Sequence, residues 1–134
     1  MNIQRGAAIL FAVFAVGVAG FQIALALGAP WGSYAMGGAY PGQFPAPLRI
    51  GAAAQAAVLL LWAGVLLARA GVALAPWLRA SRWLVWVVVA FSAISLLLNL
   101  ITPSGGERLI WAPVALVMLV ASILVATGRQ GQST

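Results

Sequence analysis

Residues 83–102 of this chain read WLVWVVVAFSAISLLLNLIT, an apolar run without a charged side chain. About 20 residues in a helix rise about 30 Å, which is the thickness of the hydrocarbon core of a membrane. Because lipid offers the backbone no hydrogen-bond partners, a stretch that crosses it must be helical. This run therefore predicts a transmembrane helix.

Three further stretches have the same character, at about residues 7–27, 50–68 and 109–127. The whole chain of 134 residues is 64% hydrophobic and only 6% charged, whereas soluble domains carry about 25% charged residues. A protein this apolar has too few polar groups to cover a surface in water. We expect one domain over residues 1–134, an all-α membrane protein built as a four-transmembrane-helix bundle.

The first stretch is also compatible with a secretory signal peptide, because Arg5 precedes it and residues 24–26 read ALA, which resembles a cleavage site. Its apolar run is longer than the usual signal core of about 7–15 residues, and three more spans follow. A retained helix is the favoured interpretation.

The charges predict an orientation. Every cation is an arginine, and the arginines stand singly at the ends of apolar runs: Arg5, Arg69, Arg79, Arg82 and Arg129 on one side, and Arg49 and Arg108 on the other. Cytoplasmic loops are enriched in such residues, so we expect a multi-pass protein of the cell inner (plasma) membrane with both termini in the cytoplasm. Scattered arginines do not form a nucleic-acid-binding stripe, and no nucleic-acid partner is predicted.

The connections differ in character. Residues 28–47 are rich in Gly, Pro and aromatic side chains, which predicts a long, non-helical extracytoplasmic loop folded over the outer mouth of the bundle. Trp31 and Tyr34 of this loop, with Trp111, fit an aromatic belt at the outer interface. Residues 71–81 predict a segment lying in the opposite interface, and residues 103–106 a tight turn.

The inventory of reactive groups is nearly empty, since the chain has one acid, no His and no Cys. We predict no catalytic residue, no metal site and no cofactor. The single acid, Glu107, follows Ser104 at capping-box spacing and is interpreted as a cap of the fourth helix, with a possible ion pair to Arg49. A catalytic or ion-binding role for this carboxylate is the alternative.

Three amides fall at similar depth near the outer interface: Gln22, Gln55 and Asn99. Ser92 and Ser95 lie deeper, on a face of the third helix that neighbours Asn99. Amides in hydrocarbon should point inward and find partners. They predict either hydrogen bonds that hold the helices together, or a polar pocket beneath the aromatic loop; the sequence leaves both open. In the second case the further candidate ligand-binding residues are Trp31, Tyr34, Arg49 and Trp111.

Several segments resemble a known group of proteins. APWG at residues 29–32, FPAPLRI at 44–50 and ERLIWAP at 107–113 resemble small four-span bacterial inner-membrane proteins of uncharacterised function. The resemblance implies a bacterial membrane location and no activity. Small multidrug exporters have a similar size and span count, but the Glu that they use in the first helix is missing here.

Three functions follow from these observations. The first is a non-enzymatic membrane protein that binds a lipid, another apolar ligand or a partner membrane protein at its outer-leaflet end. The second is a homo-oligomeric transporter or channel for a neutral or anionic solute, without proton coupling because no span holds a titratable group. The third, an enzyme, would have to work with Glu107 alone, and we predict that the protein is not one.

Overall fold

The computed structural model describes residues 2–35, 38–103 and 105–128, and every regular element in these ranges is helical. Each of the four long helices has 23 or 24 residues, about 35 Å, and is long and apolar enough to cross a membrane. The predicted four-helix membrane bundle is confirmed. Its helices are α1 (Ile3–Ala26), α2 (Ala46–Arg69), α3 (Leu78–Ile101) and α4 (Gly105–Thr127).

Each helix begins about four or five residues before its predicted span. The apolar pattern marks only the part of a helix that hydrocarbon surrounds, whereas the backbone ladder continues into the polar layer. At the start of α1, the side chain of Asn2 accepts a 2.8 Å hydrogen bond from the backbone N of Arg5, which caps the helix. The predicted interfacial segment is correspondingly shorter: residues 78–81 belong to α3, and a short 3-10 helix (Ala75–Trp77) precedes them.

The helices pack in a ring in chain order. Helix α1 lies between α2 and α4, and α3 packs mainly on α4; contact between α2 and α3 is the sparsest of the four neighbouring interfaces. The end of the bundle that carries residues 27–45 and residues 102–103 is called the loop end. The opposite end, where residues 2 and 128 lie, is called the terminal end.

A dense core fills the terminal half of the bundle. Phe11, Leu66, Val85 and Val125 are at most 1% exposed. Alanines from α1, α2 and α4 surround these larger side chains, and small residues allow transmembrane helices to approach closely. Gln4 adds a polar contact there, because its Nε2 donates a 2.8 Å hydrogen bond to the carbonyl oxygen of Val125.

The first connection folds back over the loop end. Its Phe44 is 5% exposed and forms a small apolar cluster with Leu25 and Ala52. The loop is closed by a backbone hydrogen bond of 2.9 Å from the N of Gly32 to the carbonyl oxygen of Gly42. A Cβ at Gly32 would lie 1.9 Å from the carbonyl oxygen of Tyr40, so only glycine allows the two arms of the loop to approach this closely.

Candidate functional site: a cavity at the loop end

A cavity of about 730 Å³ occupies the loop half of the bundle, and all four helices and the first loop line it. This loop-end cavity reaches from Leu48 to Leu59 on α2 and from Glu107 to Met118 on α4. In each case the two ends of the range are eleven residues apart, so the cavity extends about 16 Å along the helix axis. The volume lies within the range of about 300–1,000 Å³ that is typical of small-molecule sites.

One side of the cavity is polar. Helix α3 contributes Ser92, Ser95 and Asn99 to the lining, at spacings of three and four residues that place them on one face of the helix. Thr102, which follows the end of α3 in an extended conformation, also lines the cavity. Gln55 of α2 also lines the cavity and lies at the same depth as Ser95, about 10 Å from the loop end of the lining. These five residues, called the polar wall, run about 15 Å along the cavity.

The opposite side is apolar. Phe11 and Val18 of α1 and Val114 and Met118 of α4 line it, and they are called the apolar wall. The cavity ends towards the middle of the bundle at Phe11 and Met118, which are themselves part of the dense core. The site is therefore a chamber whose floor is formed by buried core residues. Its polar wall belongs to α2 and the region of α3, its apolar wall to α1 and α4, and Gln22 and Glu107 add polar groups on α1 and α4.

The structure brings all three predicted amides to this cavity, since Gln22, Gln55 and Asn99 each line it. Asn99 donates from Nδ2 to the carbonyl oxygen of Ser95 at 2.7 Å, a bond within its own helix. Within the described ranges, no hydrogen bond joins any of these amides to a neighbouring helix. Their donors and acceptors are thus placed at a cavity surface instead of at a helix–helix contact.

Aromatic side chains of the first loop cover part of the loop end of the cavity. Tyr34 and Phe44 line it together with Trp111 of α4, and the indole Nε1 of Trp111 donates a 2.9 Å hydrogen bond to the carbonyl oxygen of Tyr34. The ring of Tyr34 lies directly over Gly106, where a Cβ would be 2.5 Å from the ring. These contacts fix the loop against α4 and form a roof.

Trp31 braces this roof from outside the cavity lining. Its ring is stacked on Phe21 at a centroid distance of 6.1 Å and an interplanar angle of 9°. Phe21 in turn meets Trp111 at 4.7 Å. Trp31 therefore acts through Phe21, which lines the cavity, and has no place in the lining itself.

Arg49 lies apart from the cavity. Its Nε donates a 2.9 Å hydrogen bond to the carbonyl oxygen of Ala26, at the C-terminal end of α1. A cation there compensates unpaired carbonyl groups and the negative end of the helix dipole. The contact that the structure gives Arg49 is thus with α1, whereas the sequence predicted an ion pair with Glu107.

Glu107 is 8% exposed and lines the cavity at its loop end. It has an interaction partner within the chain. Ser104, its predicted capping partner, lies outside the described residues. The neighbouring Arg108 is directed to the carbonyl oxygen of Thr102, to which its Nη2 donates at 2.8 Å.

The charge of the site follows from these positions. Among the described residues that line the cavity, Glu107 is the only acid and there is no arginine, although the chain as a whole carries a formal charge of +6. The described arginines lie outside the chamber. In the described part of the lining, a bound molecule therefore meets amides, hydroxyls and one carboxyl group, and no cation.

Sequence reasoning missed two parts of the site. The apolar wall was not predicted, because apolar residues fill every face of these helices and give no periodic signal. The contribution of Phe44 to the cavity lining was also missed, although Phe44 is an aromatic residue in a loop that is otherwise rich in Gly and Pro. The polar wall did leave a readable signal, the repeat of polar residues at positions 92, 95, 99 and 102.

Comparison with known proteins gives no match to a family model, to a curated protein or to a solved structure. The resemblance to small four-span bacterial proteins stays a prediction. The case for a function therefore depends on the geometry and chemistry of the cavity.

Proposed function

We propose that this protein binds a lipid or a similar amphipathic molecule in the loop-end cavity, without catalysing a reaction. The observation that carries the proposal is the chamber of about 730 Å³, which has one polar and one apolar wall in a bundle whose other half is densely packed. Ligand sites typically combine an apolar lining with a few polar groups that orient the ligand.

The dimensions of the chamber suit a membrane lipid. Its depth of about 16 Å is close to half of the hydrocarbon core of about 30 Å, which is one leaflet. An acyl chain that lies along the apolar wall would exchange lipid contacts for similar contacts with Phe11, Val18 and Met118, so its transfer costs little. The polar wall then receives the hydrogen-bonding part of the molecule.

The positions of the arginines support an orientation. Four described arginines, Arg5, Arg69, Arg79 and Arg82, belong to the terminal end, against Arg49 and Arg108 at the loop end. By the positive-inside rule we place the terminal end in the cytoplasm. The cavity then lies in the outer leaflet of the plasma membrane, which for a bacterium is the inner membrane.

The residue inventory supports a binding role in preference to catalysis. The chain has no His, no Cys and one acid, so it lacks the second proton-transfer group that most hydrolytic mechanisms need. The packed terminal half likewise favours a chamber closed at its base over a pore through a single chain.

Native mass spectrometry after extraction in mild detergent tests the proposal. We expect the wild-type protein to retain a lipid that survives detergent washing. Ser95→Leu should lose it, because the added bulk projects from the polar wall into the chamber. Ala93→Leu is the matched control, since Ala93 is exposed on the outside of the same helix.

Two results would contradict the proposal. One is a wild-type protein that carries no retained lipid under conditions that keep it folded. The other is equal retention by the wild type, Ser95→Leu and Ala93→Leu, which would assign the lipid to the outer surface of the bundle.

A further inference from the structure

The wall between α2 and α3 is open towards the membrane. Gly51, Leu98 and Ile101 line the cavity, yet Leu98 is 57% and Ile101 66% exposed on the outside of the bundle. Residues that both line a cavity and face outward mark its rim. The rim coincides with the sparsest helix interface, that between α2 and α3.

Gly51 leaves space at this rim. A Cβ built on Gly51 would have no atom within 4 Å, so no neighbouring side chain occupies the position. The site therefore has a lateral opening, defined by Gly51, Leu98 and Ile101, in the part of the protein that the membrane surrounds.

The first loop covers part of the loop end of the chamber, where Tyr34 both lines the cavity and is 39% exposed. The hydrogen bond between Trp111 and Tyr34, the contact of the Tyr34 ring with Gly106 and the burial of Phe44 hold the roof in place. A molecule that reaches the chamber through the lateral opening comes from the bilayer, so this route favours a membrane lipid over a water-soluble solute.

The lining also restricts the headgroup. A buried headgroup with a net negative charge is costly, because neither the headgroup itself nor the lining supplies a cation to balance it. No arginine lines the described part of the chamber. Arg49 donates to the carbonyl oxygen of Ala26, and Arg108 donates to the carbonyl oxygen of the lining residue Thr102. Hydrogen bonds from amine and hydroxyl donors, in contrast, can be accepted by the amide oxygens of Gln22 and Gln55 and by the carboxyl group of Glu107, since all three residues line the cavity.

We infer that the occupant is a membrane lipid without net negative charge, whose headgroup carries amine or hydroxyl donors, and that it enters sideways between α2 and α3. This inference rests on the proposed function and adds to it the route and the class of ligand.

The experiment uses nanodiscs that contain equal amounts of phosphatidylethanolamine and phosphatidylglycerol with identical acyl chains. After transfer to detergent, the lipid retained by the full chain is measured by native mass spectrometry. We expect the wild type to enrich the zwitterionic lipid at least about tenfold over the anionic one, about 1.4 kcal/mol of selectivity. Glu107→Gln should reduce this enrichment.

Two further variants test the route without touching the polar wall. Gly51→Leu should slow lipid exchange several-fold, because its side chain fills the lateral opening. Gly20→Leu is the control: Gly20 also has open space at its Cβ position, lies on α1 at a similar depth and does not line the cavity.

The outcomes separate the claims. Retained lipid with equal or greater enrichment of the anionic species overturns the ligand class and leaves binding intact. Equal exchange rates in Gly51→Leu and Gly20→Leu overturn the lateral route. Absence of retained lipid in the folded wild type overturns the proposed function itself.

Discussion

Replacing Gly32 by alanine perturbs the roof of the cavity at a position where the backbone leaves no space for a side chain. The new Cβ would lie 1.9 Å from the carbonyl oxygen of Tyr40 and 2.7 Å from that of Gly42, whereas real Cβ contacts essentially never fall below 3.0 Å. Both obstacles are backbone atoms, so no side-chain rotation can relieve the clash. The two arms of the loop must separate by about 1.1 Å to restore the minimum distance of 3.0 Å.

Separation on that scale breaks the 2.9 Å hydrogen bond from Gly32 to Gly42, which contributes about 0.5–1.5 kcal/mol. It also disturbs the stacking of Trp31 on Phe21, a contact of similar size. We therefore expect the local free energy of opening the loop to fall by about 1–3 kcal/mol, which corresponds to a 5- to 150-fold change in an equilibrium.

Amide hydrogen exchange measures this opening directly. In Gly32→Ala, exchange in residues 32–35 should accelerate by that factor, while exchange in the terminal half stays as in the wild type. Gly20→Ala is the control, because a Cβ there meets no atom within 4 Å. Unchanged loop exchange in Gly32→Ala would refute the claim that the loop is held as a closed roof.

Three further substitutions test single contacts. Trp111→Phe keeps the ring but removes the donor to Tyr34, so loop opening should become easier by about 0.5–1.5 kcal/mol; hydrogen exchange as slow as in the wild type would count against the roof. Arg49→Met keeps the apolar stem and loses the bond to Ala26, and the unfolding free energy in detergent should fall by about 1–2 kcal/mol; an unchanged value would remove the capping role. Gln4→Leu should cost only about 0.6 kcal/mol, the average for a polar contact between membrane helices, and a loss above about 2 kcal/mol would mean that more than this contact depends on Gln4.

The architecture could be predicted from the sequence because each span is a long apolar run. The backbone of such a run finds no hydrogen-bond partners in lipid, so it must form a helix. The polar end of the cavity was also partly readable. Gln22, Gln55 and Asn99 are costly in lipid, which places them inside a bundle, and their depths follow from counting residues at 1.5 Å each.

What the sequence could not decide was whether these amides meet each other or an empty space. That outcome depends on how closely the helices approach, and hence on packing details such as the sparse α2–α3 interface. The partner of Arg49 could not be predicted either, because Ala26 and Glu107 both lie at the loop end. Every residue has a backbone carbonyl group, so the residue type of Ala26 does not mark it as the acceptor.

The two halves of the bundle differ in packing, because buried core side chains meet in the terminal half whereas a cavity separates the helices in the loop half. Close-packed interiors resist compression, whereas voids yield to it. Lateral pressure in the bilayer or hydrostatic pressure should therefore reduce the volume of the cavity before it changes the packing of the terminal half. How readily the chamber fills would then vary with the tension of the surrounding membrane.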